Sequence, residues 1–374
     1  MTRVALVHDW LTGMRGGERC LEVFCEIFPD ADLFTLLHVP GSVSPVIEDR
    51  RIATSFIQRL PHARRRYRAY LPLFPLALRG LRLSGYDLVL SSSHAVAKSV
   101  RTPPHALHVC YCFTPMRYLW DLYDDYFGAR APRLQRLFMP PLAAVLRRWD
   151  RRTSANVDHF VAISRFIADR IRRAYGRSAE VIYPPVDVAR FAIEETPGDY
   201  YLVVSALAPY KRVDLAVEAA NRLRRRLLVV GTGPEEARLR ALAGPTVEFL
   251  GWRDDAEVAR LYARCRALLF PAVEDFGITP LEAMAAGRPV LALARGGALE
   301  TVVPPGADRP ATGLLFEAQT AASLMAAMER LEGAEHARFE PKALRRHAES
   351  FDRPLFRERI ERYLTARLAE RAPC

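Results

Sequence analysis

The chain has 374 residues, half of them hydrophobic, 10% aromatic and 26% charged, proportions that suit folded domains with sizeable cores and exclude a disordered or fibrous chain. At ~100–200 residues per domain the length suits two domains or one large one. No stretch approaches the ~18–20 uninterrupted apolar residues of a membrane span, since the most apolar segment, Leu71–Leu78, is broken by Pro72 and Pro75. Of the formal charge of +11, residues 1–187 carry 27 basic and 17 acidic side chains, against 27 and 26 in residues 188–374. The first half is therefore expected to meet something anionic. Arginine supplies nearly all the positive charge, Lys98, Lys211 and Lys342 being the only lysines, which is also what a GC-rich genome produces.

The chain opens on an apolar strand, Val4–His8, followed by a glycine-bearing loop, Asp9–Gly17, and a helix with Leu21, Phe24, Cys25 and Phe28 at helical spacing. Asp9 and Arg15 interrupt the apolar start too early for a signal peptide, so a cytoplasmic protein is expected. Asp30-Ala-Asp32 reads as the solvated close of that helix. Tyr86–Leu90 and Leu107–Tyr111 read as strands. Phe160–Ile163 is a strand feeding a helix through Phe166, Ile167 and Ile171, with Ser164 as N-cap. Val181-Ile-Tyr then runs into Pro184-Pro185, which cannot continue a central strand; a domain boundary is placed there.

The second half starts again with strand Tyr201–Val204, a loop containing Pro209, and a helix faced by Val213, Ala216, Val217 and Ala220. Strands Leu227–Val230, Val247–Leu250, Ala267–Phe270 and Val290–Leu293 follow, with helices between them. Apolar strands alternating with amphipathic helices indicate parallel sheets covered on both faces. The expected fold class is α/β, two doubly wound, Rossmann-like domains facing a cleft. The last helix, with Phe356, Ile360, Tyr363 and Leu364, is amphipathic. The six cysteines, Cys20, Cys25, Cys110, Cys112, Cys265 and Cys374, form no paired zinc-ligand pattern. They are expected to be reduced, with Cys25 and Cys265 on apolar helix faces.

Ligands of doubly wound sheets bind outside the carboxyl ends of the strands. The loops at Gly13–Gly17, Ala208–Lys211, Gly231–Gly233 and Glu274–Ile278 all follow strands, and they converge if both sheets point those ends at the cleft. In the segment from Pro271 to Val290, Thr279 reads as an N-cap, Pro280 as the first helical residue and Glu282 as the third residue of a capping box. Gly277 lets the backbone approach a ligand, and the free N–H groups of the helix start make a diphosphate site. Glu274, in the loop, can accept hydrogen bonds from sugar hydroxyls. Glu282 either holds ribose hydroxyls or only closes the capping box; spacing leaves both open.

This segment resembles the Glu-x7-Glu motif of the retaining nucleotide-sugar glycosyltransferases of family 4, which have the two-domain GT-B fold. The resemblance covers most of the chain: Gly16-Gly17, Ser205-Ala-Leu-Ala-Pro-Tyr-Lys211-Arg212, Val230-Gly-Thr-Gly-Pro234, Phe249-Leu-Gly-Trp252 and Gly296-Gly-Ala-Leu-Glu300-Thr-Val all sit where the family has its loops and strands. His8-Asp-Trp-Leu-Thr-Gly and Thr114-Pro-Met-Arg-Tyr-Leu-Trp120 are similar to bacterial O-antigen and exopolysaccharide mannosyltransferases. The resemblance implies an acceptor-side domain over 1–185, a nucleotide-sugar domain over 186–350 and a C-terminal helix, 351–374, packing back on the first domain.

It further implies that Glu274 contacts the donor sugar and Glu282 the ribose. Lys211, Arg212 and the amides near Gly277 and Ile278 hold the diphosphate, with Gly16 and Gly17 approaching the same phosphates. A lysine and a helix start are donors aimed at the charge that develops on the leaving diphosphate. No metal site or cofactor is expected. Two positions depart from the family pattern: Ala206 stands where an arginine is common, and Phe113 where a histidine is common. His94, in Ser91-Ser-Ser-His-Ala95, is a candidate substitute or a histidine hydrogen-bonded to the serines. Arg117 is a candidate for an acceptor phosphate or an interdomain salt bridge.

The basic excess has a location. Arg64-Arg-Arg-Tyr-Arg68 runs into Tyr70, Leu71, Leu73 and Phe74, and Arg147, Arg148, Arg151 and Arg152 follow the apolar run Leu137–Leu146. Such a mixture suits the surface of an anionic membrane or a solvated helix face. Nucleic acid is not expected, because no helix-turn-helix, RNP or finger pattern occurs. The expected function is transfer of a hexose, with mannose from GDP-mannose as the candidate, to a lipid-linked or growing saccharide in cell-surface polysaccharide synthesis, at the inner face of the membrane. The alternative is a non-catalytic nucleotide-sugar or saccharide-binding protein with the same fold.

Overall fold

The computed structural model describes residues 2–121, 123, 127–128, 133–333 and 338–371; Cys374 lies outside the described residues. Two compact units divide the chain, one formed by residues up to Pro184 together with those from Phe356 onward, the other by Pro185–Leu355.

The first unit is built on a seven-stranded parallel sheet in the order β3-β2-β1-β4-β5-β6-β7. Its strands are β1 (Val4–His8), β2 (Asp32–Thr35), β3 (Ile52–Thr54), β4 (Leu88–Ser93), β5 (Leu107–Cys112), β6 (His159–Ala162) and β7 (Ala179–Val181). Every residue of β1, β4 and β5 is buried, the pattern of strands covered on both faces. Strand β4 continues past Leu90 into three serines because their neighbours satisfy two of the hydroxyls. Ser91 Oγ lies 2.8 Å from His108 Nε2, and Ser92 Oγ 2.7 Å from His8 Nδ1. The chain lays β1, β2 and β3 outward in one direction and then returns to the other side of β1 for β4, so the topological switch point lies between β1 and β4.

Helix α1 (Gly16–Ile27) takes the glycine pair into its first turn rather than leaving it in the loop, and the Arg15 N–H donates to Glu18 Oε2 at 3.1 Å. Asp30-Ala-Asp32 does not close that helix. Asp32 opens β2, and its carboxylate accepts from Arg51 and from the Tyr86 hydroxyl. The Arg51 hydrogen bonds hold its carboxyl below the usual carboxylate range. Helix α2 (Arg133–Thr153) carries a buried ion pair, Lys98 Nζ to Asp150 Oδ1 at 2.7 Å. The other carboxylate oxygen accepts from Trp120 Nε1 and the Tyr175 hydroxyl, both at 2.8 Å. Helix α3 (Arg165–Tyr175) is capped by Ser164 Oγ, which accepts from the Ile167 N–H at 3.1 Å.

The basic segment at 64–68 differs from its sequence reading. Arg64, Arg65, Arg66 and Arg68 are exposed, but Tyr67, Leu71 and Phe74 are core residues packed with Trp10, Leu78 and Val96. The arginines point out and the rings in, and the apolar side chains left exposed beside the charge are Leu73 and Leu76, at 38 and 57%.

The second unit has a six-stranded parallel sheet in the order β10-β9-β8-β11-β12-β13. The strands are β8 (Tyr200–Val204), β9 (Arg226–Val230), β10 (Val247–Gly251), β11 (Ala267–Phe270), β12 (Val290–Leu293) and β13 (Gly313–Phe316). Here the switch point lies between β8 and β11. Around the sheet run α4 (Val213–Leu223), α5 (Asp255–Arg264), α6 (Ile278–Ala285), α7 (Ala321–Glu332) and α8 (Pro341–Glu349). Helix α9 (Arg353–Arg371) passes from this unit into the first, where Phe356 packs 5.8 Å from Phe24 and 5.6 Å from Tyr111, ring centre to ring centre.

The capping box predicted at Thr279 is absent. Gly277, at φ 89°, turns the chain into α6 two residues earlier, which leaves Thr279 and Pro280 inside the first turn and no side chain capping the helix. Cys20, Cys25, Cys110, Cys112 and Cys265 are buried and in no disulfide among the described residues, and burial pushes the thiols of Cys25 and Cys265 up to about 12.

Candidate functional site

In each unit, a basic and an acidic side chain from the loops at the switch point meet. In the second unit, the loop after β8 ends in a short turn, Pro209–Lys211, and the loop after β11 carries Glu274. Lys211 Nζ lies 2.5 Å from Glu274 Oε1, and both side chains are mostly buried. A parallel bridge between Glu274 and Gly296 fixes the glutamate's backbone, with the Gly297 N–H donating to its carbonyl at 2.8 Å. Gly296 has φ 68°, and a Cβ there would meet the Glu274 carbonyl at 2.5 Å, so only glycine lets these two loops lie against each other.

Below this pair stands the start of α6. Gly277 and Ile278 open it, leaving first-turn N–H groups without intrahelical partners. Glu282, one turn on, accepts at Oε2 from the buried Tyr262 hydroxyl at 2.9 Å. Burial, and then the neighbouring Glu282, hold the Tyr262 hydroxyl well above the ordinary tyrosine range, so it acts as a donor. Arg212, at φ 52°, turns its guanidinium back onto Asp214 at 3.1 and 3.2 Å. The second unit thus brings Lys211, Glu274, Gly277, Ile278 and Glu282 to the carboxyl end of its sheet, with Arg212 held beside them.

In the first unit, β1 ends in His8-Asp9-Trp10 and β4 in Ser93-His94. The Asp9 carboxylate is fully buried and accepts the N–H groups of His94, Ala95, Val96 and Ala97 at 2.6 to 2.9 Å. It also lies 3.1 Å from His94 Nδ1. His94 is therefore paired with Asp9, while the serine of its own run, Ser92, serves His8. Gly17 approaches the same cluster: a Cβ there would stand 3.4 Å from the Phe113 ring and 3.6 Å from that of His8. Gly16 precedes it in the first turn of α1, and Arg117, half-buried, stands close enough to His94 to disfavour its protonation.

Sequence reasoning missed Tyr262 and Asp9. Tyr262 was legible only as one position of an apolar helix face, yet a buried tyrosine needs a partner for its hydroxyl. Asp9, a lone acid directly after the first strand, carried a comparable signal. Neither partner lies within ten residues in sequence.

A family profile described as Glycosyltransferase Family 4 matches residues 15–190, and one described as Glycosyl transferases group 1 matches residues 198–333. A GDP-mannose-dependent monoacylated alpha-(1-6)-phosphatidylinositol monomannoside mannosyltransferase of Corynebacterium glutamicum is 33% identical over 200 residues, 45% of this chain and 51% of the relative. The O-antigen chain mannosyltransferase C of Escherichia coli is 37% identical over 105 residues, 26% of this chain and 28% of the relative. The chain thus spans about half the length of the first relative and less of the second. Among solved structures, sucrose-phosphate synthase from Thermosynechococcus elongatus superposes with a TM-score of 0.73 at 19% identity, covering 99% of this chain and 100% of that one. The Anabaena protein HepE in complex with UDP gives 0.70 at 17%, covering 98% and 100%. At these identities the structural likeness is one of fold.

Proposed function

The chain belongs to glycosyltransferase family 4, and from that membership we propose that it moves a hexose, mannose from GDP-mannose, onto a lipid-linked or growing saccharide with retention of configuration. The observation that carries this reading is the Lys211–Glu274 pair, 2.5 Å apart at the switch point of the second sheet, where doubly wound folds take their ligands. The relatives support the sugar: several are GDP-mannose-dependent or O-antigen mannosyltransferases.

Each role follows from charge. Breaking the anomeric bond develops negative charge on the departing diphosphate. Lys211 and the first-turn amides of α6 stabilise that charge as fixed donors. Without a donor, Lys211 and Glu274 neutralise each other. A bound nucleotide sugar exchanges that contact for two others, Lys211 to the diphosphate and Glu274 to sugar hydroxyls. Glu282, oriented by Tyr262, receives the ribose. The acceptor's proton passes to the departing diphosphate oxygen as the new glycosidic bond forms on the same face.

A membrane surface completes the proposal. Helix α2 exposes Leu134, Leu137, Phe138 and Val145 by 71, 68, 63 and 65%, at spacings that put them on one side of the helix. Exposed Arg133, Arg136, Arg148 and Arg152 flank them, and a groove of about 660 Å³ beside them is lined by Trp120 and four arginines. This face combines positive charge with four exposed apolar groups, more than the two, Leu73 and Leu76, that accompany the arginines at 64–68, and that pairing binds anionic bilayers. Among the described residues no helix is long and apolar enough to cross a membrane.

The test is nucleotide release from a panel of GDP-, UDP- and ADP-sugars with and without saccharide acceptors. Acceptor-dependent GDP release from GDP-mannose is expected, and Glu274→Gln is expected to lose at least ~10-fold in kcat with its melting temperature within a few degrees of the parent. Donor binding without turnover on any acceptor would replace this reading with that of a binding protein.

A further inference from the structure

At the switch point of the first sheet, a single imidazole is held by a buried carboxylate and keeps one edge accessible. Every other ring around it is buried: His8, Trp10 and Phe113. The His94 side chain alone keeps 29% exposure. Trp10 packs perpendicular to it with ring centres 4.5 Å apart, and Phe113 and His8 close the cluster at 6.3 and 6.1 Å. The ladder pairs Ser93 with Cys112, so His94 and Phe113 are the next residues on adjacent strands.

The tautomer follows from the partner. A bare nitrogen lone pair 3.1 Å from the Asp9 Oδ2 oxygen would be repelled by it, which favours the neutral tautomer that carries its proton on Nδ1. That leaves Nε2 as the acceptor of the neutral ring, on the side away from Asp9. Four backbone N–H groups fix Asp9 in turn, so the imidazole is anchored through a carboxylate that has no freedom to swing. A fold that needed only a packed ring there would not need to set its protonation and aim.

We propose that His94 accepts, through Nε2, a hydrogen bond from a hydroxyl of the acceptor saccharide, with Asp9 as the positioning residue that sets its tautomer and direction. The proposal rests on the glycosyltransferase reading and assigns the acceptor's place to the first unit's own switch point. His94 takes no proton from the reacting hydroxyl, since that proton leaves with the diphosphate; it orients the sugar. Burial keeps the ring below the ordinary histidine range, with Asp9 and Glu18 opposing and His8 and Arg117 reinforcing that shift. At neutral pH the ring is therefore in its accepting form. Protonation would turn Nε2 into a donor, so the hydroxyl could no longer donate to it and the sugar would have to turn to accept instead.

The experiment measures transfer from GDP-mannose to a panel of alkyl mannosides and glucosides, alongside GDP-mannose affinity by thermal shift, for the parent, His94→Ala, His94→Gln and Asp9→Asn. A lost hydrogen bond to the sugar should cost His94→Ala about 10- to 100-fold in kcat/KM for the acceptor and leave donor affinity within about twofold. His94→Gln, whose amide oxygen can reach the Nε2 position, should recover part of that loss. The parent's kcat/KM should fall on the acid side below the ordinary histidine range, and the glutamine variant should lack that limb. Asp9→Asn should lower kcat/KM for the acceptor in the same direction; if its broken N–H contacts unfold it, the His94 variants decide alone. Unchanged acceptor kinetics in His94→Ala, equal losses for donor and acceptor, or an acid limb that survives in His94→Gln would each overturn the proposal. No turnover by the parent with any sugar would remove the transferase reading and this inference with it; turnover indifferent to His94 removes the inference alone.

Discussion

Two carboxylates eight positions apart in the second unit show how environment separates roles. Glu274 sits in a loop, pinned through its backbone and matched by Lys211. Glu282 sits on a helix and accepts from the Tyr262 hydroxyl. That arrangement allows a test of the ribose assignment. Tyr262→Phe keeps the buried ring and deletes only the donor. A hydrogen bond to a charged group is worth ~1.5–3 kcal/mol, and its loss should let Glu282 turn away from the ribose. The expected outcome is a KM for the nucleotide sugar raised about 10-fold with a smaller change in kcat, read in steady-state kinetics. An equal fall in kcat with KM unmoved would place Tyr262 outside donor binding.

The elements of the second unit are tied together by another carboxylate. Glu332, the last residue of α7, accepts from the Tyr201 hydroxyl of β8 at 2.8 Å, from Arg225 at 2.7 to 3.0 Å and from Arg266 at 3.1 Å. One side chain thus pins the helix to the amino ends of three central strands, opposite the edge that carries Lys211 and Glu274. The Arg225 hydrogen bonds in particular hold the carboxyl below the usual glutamate range. A depressed folded value contributes stability above the unfolded value of ~4.3 and loses it as the pH falls through the folded value. Glu332→Gln should therefore cost ~1–3 kcal/mol at neutral pH. The gap to the parent should narrow as the pH falls below about 4.3, as urea unfolding at several pH values would show. A gap that stays constant with pH would mean that the charge of Glu332 is irrelevant.

On the scale of the whole molecule, the charge imbalance of the sequence finds a concrete surface in α2. If that face meets lipid, co-sedimentation should be strong with anionic vesicles, weak with neutral ones, and reduced by salt as the Debye length falls from ~10 Å at ~0.1 M to ~3 Å at ~1 M. Leu137→Ser with Phe138→Ser removes side chains worth ~1.5–3 kcal/mol each when fully buried. The double variant should bind at least ~10-fold more weakly while transferring to a water-soluble acceptor at the parental rate. Equal binding to both lipid types, or none to either, would return α2 to an ordinary solvated helix.

The amino-acid sequence by itself determined the alternation of strand and helix, because fully buried parallel strands read as apolar runs: Ala267–Phe270 and Val290–Leu293 are strands at those very bounds. It also determined the Ser164 cap, a local contact three residues long. It missed β2, β3 and β13, short strands of three or four residues whose pairing comes from neighbours distant in sequence. It misplaced the start of α6, because a glycine at positive φ began the helix where a threonine looked the better cap. The partners of its candidate residues lay beyond it altogether. Asp9 meets His94 across 85 positions, and Lys211 meets Glu274 across 63. The strand order decides these meetings: at each switch point two strands far apart in sequence become neighbours, and the side chains at their ends become a pair. Periodicity records which way a residue faces along its own element. Which residue stands opposite is set by register and crossover, and those are fixed only when the sheets close.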